Sequence, residues 1–458
     1  MKKQSGAMDL TVGSPIKQIL LFSLPLILGT LFQQLYSLID TIMVGRLIGT
    51  DALAAVGATY SLNFLTLGFV QGACVGFGIP LAQTFGAKDA AEYKRYFYNG
   101  TRLCVALAAV MTAAMVLLAR PMLTLMRTPA DIFDQTLAYM LVIFLGIPAS
   151  VLYNFCAGAL RASGDSRHPF LFLLISSLLN IALDYLLIVP IPLGVVGAAL
   201  ATVLSQLVSG LLNLYWLAKK TELLRGSRGL TAFSGTHARR LCVIGFPMGF
   251  EYSISALGAV VMQGAINGLG SVAVAGQTAG EKIRQMFTLP MESVGMGVAT
   301  YAGQNEGANR PDRIRDGIRA GLTIQWTYCV FAWAAIALLK RPLSELVLGA
   351  QAVQELALSV QYLGIISTLF AIHGALMIMR NTLQGMGYSA HAVLSGVGEL
   401  LGRSLGGFLA AGSLGFVGIC LANPLAWGFA LLYCSVMVWK YLGARLRSSG
   451  ADGGKNEK

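Results

Sequence analysis

Residues 16–44 read IKQILLFSLPLILGTLFQQLYSLIDTIMV. In that run only Lys17 and Asp40 are charged, and Pro25 is its single proline. A bilayer core about 30 Å thick takes about 20 residues of helix, so the stretch crosses it with length to spare. It follows Met1-Lys2-Lys3, a start resembling a secretory leader. It is too long for a leader's apolar core, however. It is therefore expected to be a first membrane span.

The rest of the chain repeats this composition. Of 458 residues, 55% are hydrophobic and only 12% charged, against about 25% charged in soluble domains. Breaking the apolar runs at charged, proline and glycine clusters gives twelve helices, near 16–45, 52–83, 96–118, 132–159, 168–190, 194–217, 241–268, 272–303, 314–339, 353–380, 390–412 and 416–439. The expected fold class is an all-α polytopic membrane protein. The net charge of +12 belongs to the segments between spans, so it reads as a topology signal and not as a nucleic-acid surface. With a cytoplasmic N-terminus, 25 of the 33 lysines and arginines fall on the inner side, five on the outer side and three within spans. That bias places both termini in the cytoplasm of a cell whose plasma membrane the chain crosses. The seven cysteines lie in apolar runs without C-x-x-C spacing and read as small buried hydrophobes.

The chain is also a duplication. Gln83-Thr-Phe-Gly86-Ala87 returns as Gln304-Asn-Glu-Gly307-Ala308, and Leu117-Leu-Ala-Arg120-Pro121 as Leu338-Leu-Lys-Arg341-Pro342. Leu160, Gly164, Ser166 and His168 match Leu383, Gly387, Ser389 and His391, and Pro25 matches Pro247. Six spans per half is an even number, so the two repeats are parallel. The expected domains are an N-terminal lobe (1–217), a cytoplasmic linker (218–240), a C-terminal lobe (241–442) and a disordered tail (443–458). Two parallel bundles are a transporter plan.

Ionisable groups inside spans are costly and mark function by default. Gln33, Tyr36, Ser37 and Asp40 share one face of the first helix, while Ser176, Asn180 and Asp184 form a stripe on the fifth. Asn154 and Thr202 add neutral oxygens at similar depth. Two carboxylates with such neighbours suit a hard monovalent cation or a transferable proton. The competing reading has them satisfying buried backbone or hydroxyl groups. In the second repeat Asp40 and Asp184 correspond to Met262 and a glycine near Gly406, so the acidic pair marks a task that only one half performs. The second half has charges of its own: Glu251, Glu281, Lys282, Arg284, Glu292, Glu399 and Arg403. Glu399 and Arg403 stand i, i+4, as fits either an ion pair or a functional role. Pro25 and Pro247 each free a carbonyl and permit a bend, as a hinge or as a static kink. No H-E-x-x-H or Walker A sequence occurs, and no nucleophile–base set is evident, so an enzyme is not expected.

Ser37-Leu-Ile-Asp40-Thr-Ile-Met-Val-Gly45-Arg46, followed by Asp51-Ala-Leu-Ala-Ala-Val-Gly57 and the paired Q-x-x-G-A motifs, resembles the multidrug and toxic compound extrusion (MATE) family over residues 12–442. The resemblance implies a V-shaped transporter of two six-helix lobes that exchanges Na⁺ or H⁺ for organic, often cationic, compounds. It implies a cation site, for Na⁺ or H⁺, at Asp40, Asn180, Asp184 and Thr202, with Asn154 nearby. Members that bind the cation in the C-lobe use a seventh-helix Glu, which Glu251 matches. Their tenth-helix Asp has no counterpart between Val353 and Met379.

The expected function is thus secondary antiport with rocker-switch alternating access and Pro25 as a hinge. Gln33, Tyr36, Ser37, Glu251, Glu281 and Glu292 are the candidate lining of the substrate cavity. No cofactor is expected beyond the coupling ion. The expected partners are small organic cations and membrane lipids, and a monomer is sufficient. The alternative is a lipid-linked precursor flippase of the same superfamily. Six acidic against three basic side chains within spans favour cationic cargo.

Overall fold

The structure, a computed structural model, describes residues 7–220, 224 and 230–453. Apolar runs in lipid satisfy their backbone groups internally only as helices, and the described residues are helical with no strand. The first repeat comprises α1 (Pro15–Met43), α2 (Thr50–Ala58), α3 (Tyr60–Gly86), α4 (Ala90–Leu125), α5 (Phe133–Leu145), α6 (Ile147–Ala162), α7 (Arg167–Ile188) and α8 (Val195–Tyr215). The second comprises α9 (Gly235–Asn267), α10 (Ser271–Gly307), α11 (Pro311–Leu348), α12 (Val353–Thr368), α13 (Phe370–Gly385), α14 (Ala390–Leu409) and α15 (Phe416–Gly453).

Joining α2 to α3, α5 to α6 and α12 to α13 leaves twelve segments, close to those read from the apolar runs. Seven helices are long and apolar enough to cross a membrane, and the bent pairs α5–α6 (42°) and α12–α13 (51°) bring the number to nine among the described residues. The other three segments, α9, α10 and α14, contain Glu251, Glu281, Lys282, Arg284, Glu292, Glu399 and Arg403. The break between α2 and α3 comes at buried Thr59, whose hydroxyl donates to the Val56 carbonyl at 2.7 Å and accepts from Asn63 Nδ2 at 3.0 Å. The bend in the α5–α6 pair falls at Gly146, just before Pro148.

The duplication extends to backbone angles. Positive φ recurs at Gly49 and Gly270, Lys88 and Asn309, Arg127 and Gly349, Gly164 and Gly387, and Gly194 and Gly415, each pair 221–223 residues apart.

The chain divides into two compact units that do not follow the repeat boundary. Unit 1 holds residues 1–9 and 28–253, and unit 2 holds 10–27 and 254–458. The lobe boundary expected at 218–240 is therefore displaced. The first part of α1 packs with the second repeat, and the first part of α9, including Glu251, packs with the first repeat. The cause is close helix packing through small residues, the main attraction available between helices in lipid. A Cβ on Gly76 would lie 2.5 Å from the Gly245 Cα, and one on Gly72 would lie 2.6 Å from the Met248 carbonyl oxygen. In unit 2, a Cβ on Gly297 would lie 2.2 Å from Ser23 Oγ.

The leaders of α1 and α9 are fastened in matching ways to the Q-x-x-G-A turns. In unit 2 the Leu10 N–H donates to Gln304 Oε1 at 2.9 Å. Arg313 there donates to the carbonyls of Gly13 at 3.1 Å and Leu10 at 3.3 Å and to Gln18 Oε1 at 3.2 Å. In unit 1 Arg240 donates to Gln83 Oε1 at 2.6 Å, and His237 Nε2 meets Glu92 Oε2 at 2.9 Å. The Ser234 N–H there donates to Asn99 Oδ1 at 2.9 Å. Helix α15 continues to Gly453, so residues 443–453 of the expected disordered tail are helical. Residues 454–458 and most of 221–229 lie outside the described residues.

Candidate functional site: a carboxylate pair

Asp40 lies near the end of α1, and Asn180 and Asp184 lie one turn apart on α7. Asp184 and Asn180 are fully buried. Among the described residues, no group hydrogen-bonds Asp184 Oδ1 or Oδ2, Asn180 Oδ1 or Nδ2, or Asp40 Oδ1. Asp40 and Asp184 are within electrostatic reach of each other, and both reach Tyr36 and Tyr139. Thr202 on α8 and Asn154 on α6 are half-buried, and the Asn154 amide is turned to the Ser150 carbonyl at 2.9 Å. A buried ionised carboxylate without a partner costs several kcal/mol. Ionising either carboxylate here therefore calls for a cation or a proton that the described residues of its own unit do not supply. Tyr139, brought in from α5, was not singled out in the sequence, where an aromatic in an apolar run carries no signal.

Gln33 and Tyr36 line a small polar recess with Tyr153, Ser176, Ser205 and Ser209. Ser37 is exposed on the same helix, and its carbonyl accepts from the Thr41 hydroxyl at 2.8 Å.

At the matching positions of unit 2 there is no charge. Met262 packs with Ile266, Ala410, Ile419 and Ala422. A Cβ on Gly406 would meet the Ala422 Cα at 2.4 Å. Where the first repeat has carboxylates, the second has close apolar packing.

The charges of unit 2 lie elsewhere and are joined. Arg284 grips Glu281 with both carboxylate oxygens, at 2.8 Å and 2.5 Å, and the Tyr362 hydroxyl donates to Glu281 at 2.6 Å. Glu281 is thus engaged by the protein itself. Glu399 accepts from Arg380 at 2.7 Å and from Arg403 at 3.3 Å. Arg403 also donates to Asn423 Oδ1 at 3.2 Å and to the Ser255 carbonyl at 3.2 Å. The sequence reading counted Arg380 among the cytoplasmic loop cations. It lies inside α13 and pairs with a buried glutamate, so the basic tally within spans rises from three to four. Glu292 is exposed, within reach of Arg284 and Arg380. Glu251 is buried in unit 1.

A sequence profile of the MatE family matches residues 25–186 and 247–401, which is most of both repeats. The chain belongs to the MatE family. It is 29% identical over 313 residues to the probable multidrug resistance protein YoeA of Bacillus subtilis, covering 67% of this chain and 68% of that one. It is 26% identical over 351 residues to a FAD transporter of Shewanella oneidensis, with 76% of each chain covered. Its fold is that of a solved multidrug resistance MATE family transporter in an outward-facing conformation. That match has a TM-score of 0.91 at 22% identity, over 97% of this chain and 99% of the other.

As a MatE protein the chain is a multi-span membrane transporter, as the first-helix motif and the duplication had implied. The paired Q-x-x-G-A motifs have a visible task in this MatE chain. Each ends a helix in a turn with positive φ at Lys88 or Asn309 and presents a glutamine to a docked leader.

Proposed function

We propose that the protein is a secondary antiporter that exports organic compounds in exchange for Na⁺ or H⁺, with the ion taken up at Asp40 and Asp184. The observation that carries this reading is the buried, unpartnered pair Asp184 and Asn180 in unit 1, with half-buried Asp40, one of whose oxygens also lacks a partner among the described residues. A monovalent cation or a proton relieves that charge, and Asn180, Thr202 and Asn154 supply further oxygens. The names of relatives such as YoeA point to drugs as cargo. An organic cation and the coupling ion compete for the same negative charge, and a coupling energy of about 1–3 kcal/mol is enough for exchange. Gln33, Tyr36 and Ser37 give the cargo a polar wall beside the ion site.

Alternating access of the rocker-switch kind suits the place of Pro25, just before α1 passes from unit 2 to unit 1 between Ile27 and Leu28. A proline there interrupts the backbone ladder where the helix changes unit. The loop charge bias supports cytoplasmic termini in the plasma membrane. A monomer suffices, because the duplication supplies both halves. The comparisons do not favour the lipid-linked precursor flippase.

The test uses purified protein in liposomes loaded with a fluorescent organic cation. An inward Na⁺ or H⁺ gradient is expected to drive efflux by the wild type and to lose its effect in Asp40→Asn and Asp184→Asn. Efflux that keeps its gradient dependence in both variants would move coupling away from this pair.

A further inference from the structure

We propose that the polar recess of unit 1, among α1, α6, α7 and α8, is a transit site for the coupling ion, which passes through it from Asp40 and Asp184 toward the far end of α8 with the Ser209 hydroxyl as its anchor. This route presupposes the ion-coupled export proposed above.

The lining is the first support. Ser176, Ser177, Ser205 and Ser209 face the recess together with Tyr36. The Ser176 and Ser177 hydroxyls both donate to the Leu173 carbonyl, at 2.9 Å and 2.8 Å, and the Ser205 hydroxyl donates to the Thr202 carbonyl at 2.9 Å. A hydroxyl has one hydrogen and two lone pairs. With their hydrogens spent on the backbone, these three serines have only lone pairs left for a guest, which suits a cation or a water that donates. The recess has room for about one water molecule. It adjoins the carboxylates, because Tyr36 is within electrostatic reach of both Asp40 and Asp184. Ser176 stands one turn from Asn180 on α7.

Ser209 is the second support. It is 1% exposed, and its Oγ has no hydrogen-bond partner among the described residues. A buried polar group in that state calls for a water, an ion or a function. One turn further along α8, Asn213 is fully buried and its Oδ1 is likewise without a partner, while its amide donates to the Ser209 carbonyl at 2.7 Å. Ser205, Ser209 and Asn213 thus form a polar stripe that leads from the ion site toward the Trp216 end of α8. The charge bias of the loops puts that end on the cytoplasmic side.

The second repeat is the third support. Leu193-Gly-Val-Val-Gly197 at the start of α8 returns 221 residues on as Leu414-Gly-Phe-Val-Gly418. At that offset Ser205, Ser209 and Asn213 become Ala426, Ala430 and Cys434, all fully buried. A Cβ on Gly402 would lie 2.4 Å from the Ala426 Cα. The matching helices α14 and α15 close on each other there without a hydroxyl, so packing of the pair does not require the α8 serines.

A proton on this route leaves a carboxyl oxygen for the oxygen of the water, and the hydronium so formed gives a proton to the next water toward Asn213. Na⁺ takes the same oxygens as ligands. Nothing is oxidised or reduced in either case.

The test uses the full-length protein and two readouts. One is the rate of efflux from liposomes driven by a Na⁺ or an H⁺ gradient, imposed singly. The other is the rise in unfolding midpoint that the coupling ion produces, which reports its binding at the carboxylates. Ser209→Val fills the recess, Ser209→Ala removes the hydroxyl alone and Ser209→Thr keeps it. The first two are expected to slow ion-driven efflux about tenfold while the midpoint rise stays as in the wild type. Ser209→Thr is expected to stay within about threefold of the wild type. Where Ser209→Val does not fold, Ser209→Ala decides. Asp184→Asn is expected to lose both readouts, which separates the route from the ion site. Efflux by Ser209→Ala within about twofold of the wild type, or loss of the midpoint rise together with efflux, would overturn the route and leave the export reading standing. Absence of ion-driven efflux in the wild type would remove the export reading and the route with it.

Discussion

Gly76 on α3 and Gly245 on α9 face each other so closely that a Cβ on Gly76 would lie 2.5 Å from the Gly245 Cα. Gly72 and Gly249 extend the seam by one turn on either helix, so each helix presents a G-x-x-x-G face. Gly76→Ala must force the backbones apart, which costs about 1–3 kcal/mol. Gly428→Ala in α15, where a Cβ would meet nothing within 4 Å, is the control and should be neutral or slightly stabilising. Thermal unfolding in detergent is expected to separate the two, with only Gly76→Ala lowering the midpoint.

Asp184→Asn replaces a buried carboxylate that has no hydrogen-bond partner among the described residues. It should leave the unfolding midpoint unchanged or raise it, while abolishing coupled transport. The wild type should be stabilised by its coupling ion, by about 2.7 kcal/mol at a hundredfold excess over the dissociation constant, and the variant should not. A clear fall in midpoint for Asp184→Asn would mean that the carboxylate serves the fold.

Glu399 holds two arginines, whereas Arg380 is one of two cations on Glu399. Arg380→Met leaves the glutamate paired with Arg403, but Glu399→Gln removes the carboxylate that both guanidiniums share. Breaking a buried pair from one side costs about 3–5 kcal/mol. Glu399→Gln is therefore expected to lower stability more than Arg380→Met, read from unfolding midpoints at one lipid-to-detergent ratio. The reverse order would show that the network does not share charge in this way.

Arg313 fastens the first leader through Leu10, Gly13 and Gln18 and braces Asn305 at 3.0 Å. Arg313→Ala should release that leader. Limited proteolysis is expected to cut residues 10–18 several-fold faster than in the wild type, with the α9 leader, bound through Gln83 and Glu92, unaffected.

The twelve segments were legible because hydropathy alone delimits helices in lipid. Asp40 and Asp184 stood out in the sequence because a carboxylate in an apolar run is costly and needs a partner. The exchange of helix segments between units was not. The spacings of Gly72 with Gly76 and of Gly245 with Gly249 are present in the sequence, but a small-residue face does not name its partner. Glu251 was read with the second repeat and lies in unit 1, because a continuous helix gives no sign of where it changes company. Arg380 read as a loop cation because Asn381 and Gln384 follow it closely. Ser209 gave no signal at all, since its lack of partners is a property of space and not of order along the chain.

The crossed leaders also bear on ancestry. A chain of half this length, carrying a single repeat, would fold with its own leader undocked and its own Q-x-x-G-A turn unfilled. Two copies exchanging leaders would satisfy both, which is the arrangement of a domain-swapped dimer. The polar segment near 218–240 fuses such a pair into one gene product. After fusion the two turns could diverge, one receiving its leader through an arginine side chain (Arg240) and the other through a backbone amide (Leu10).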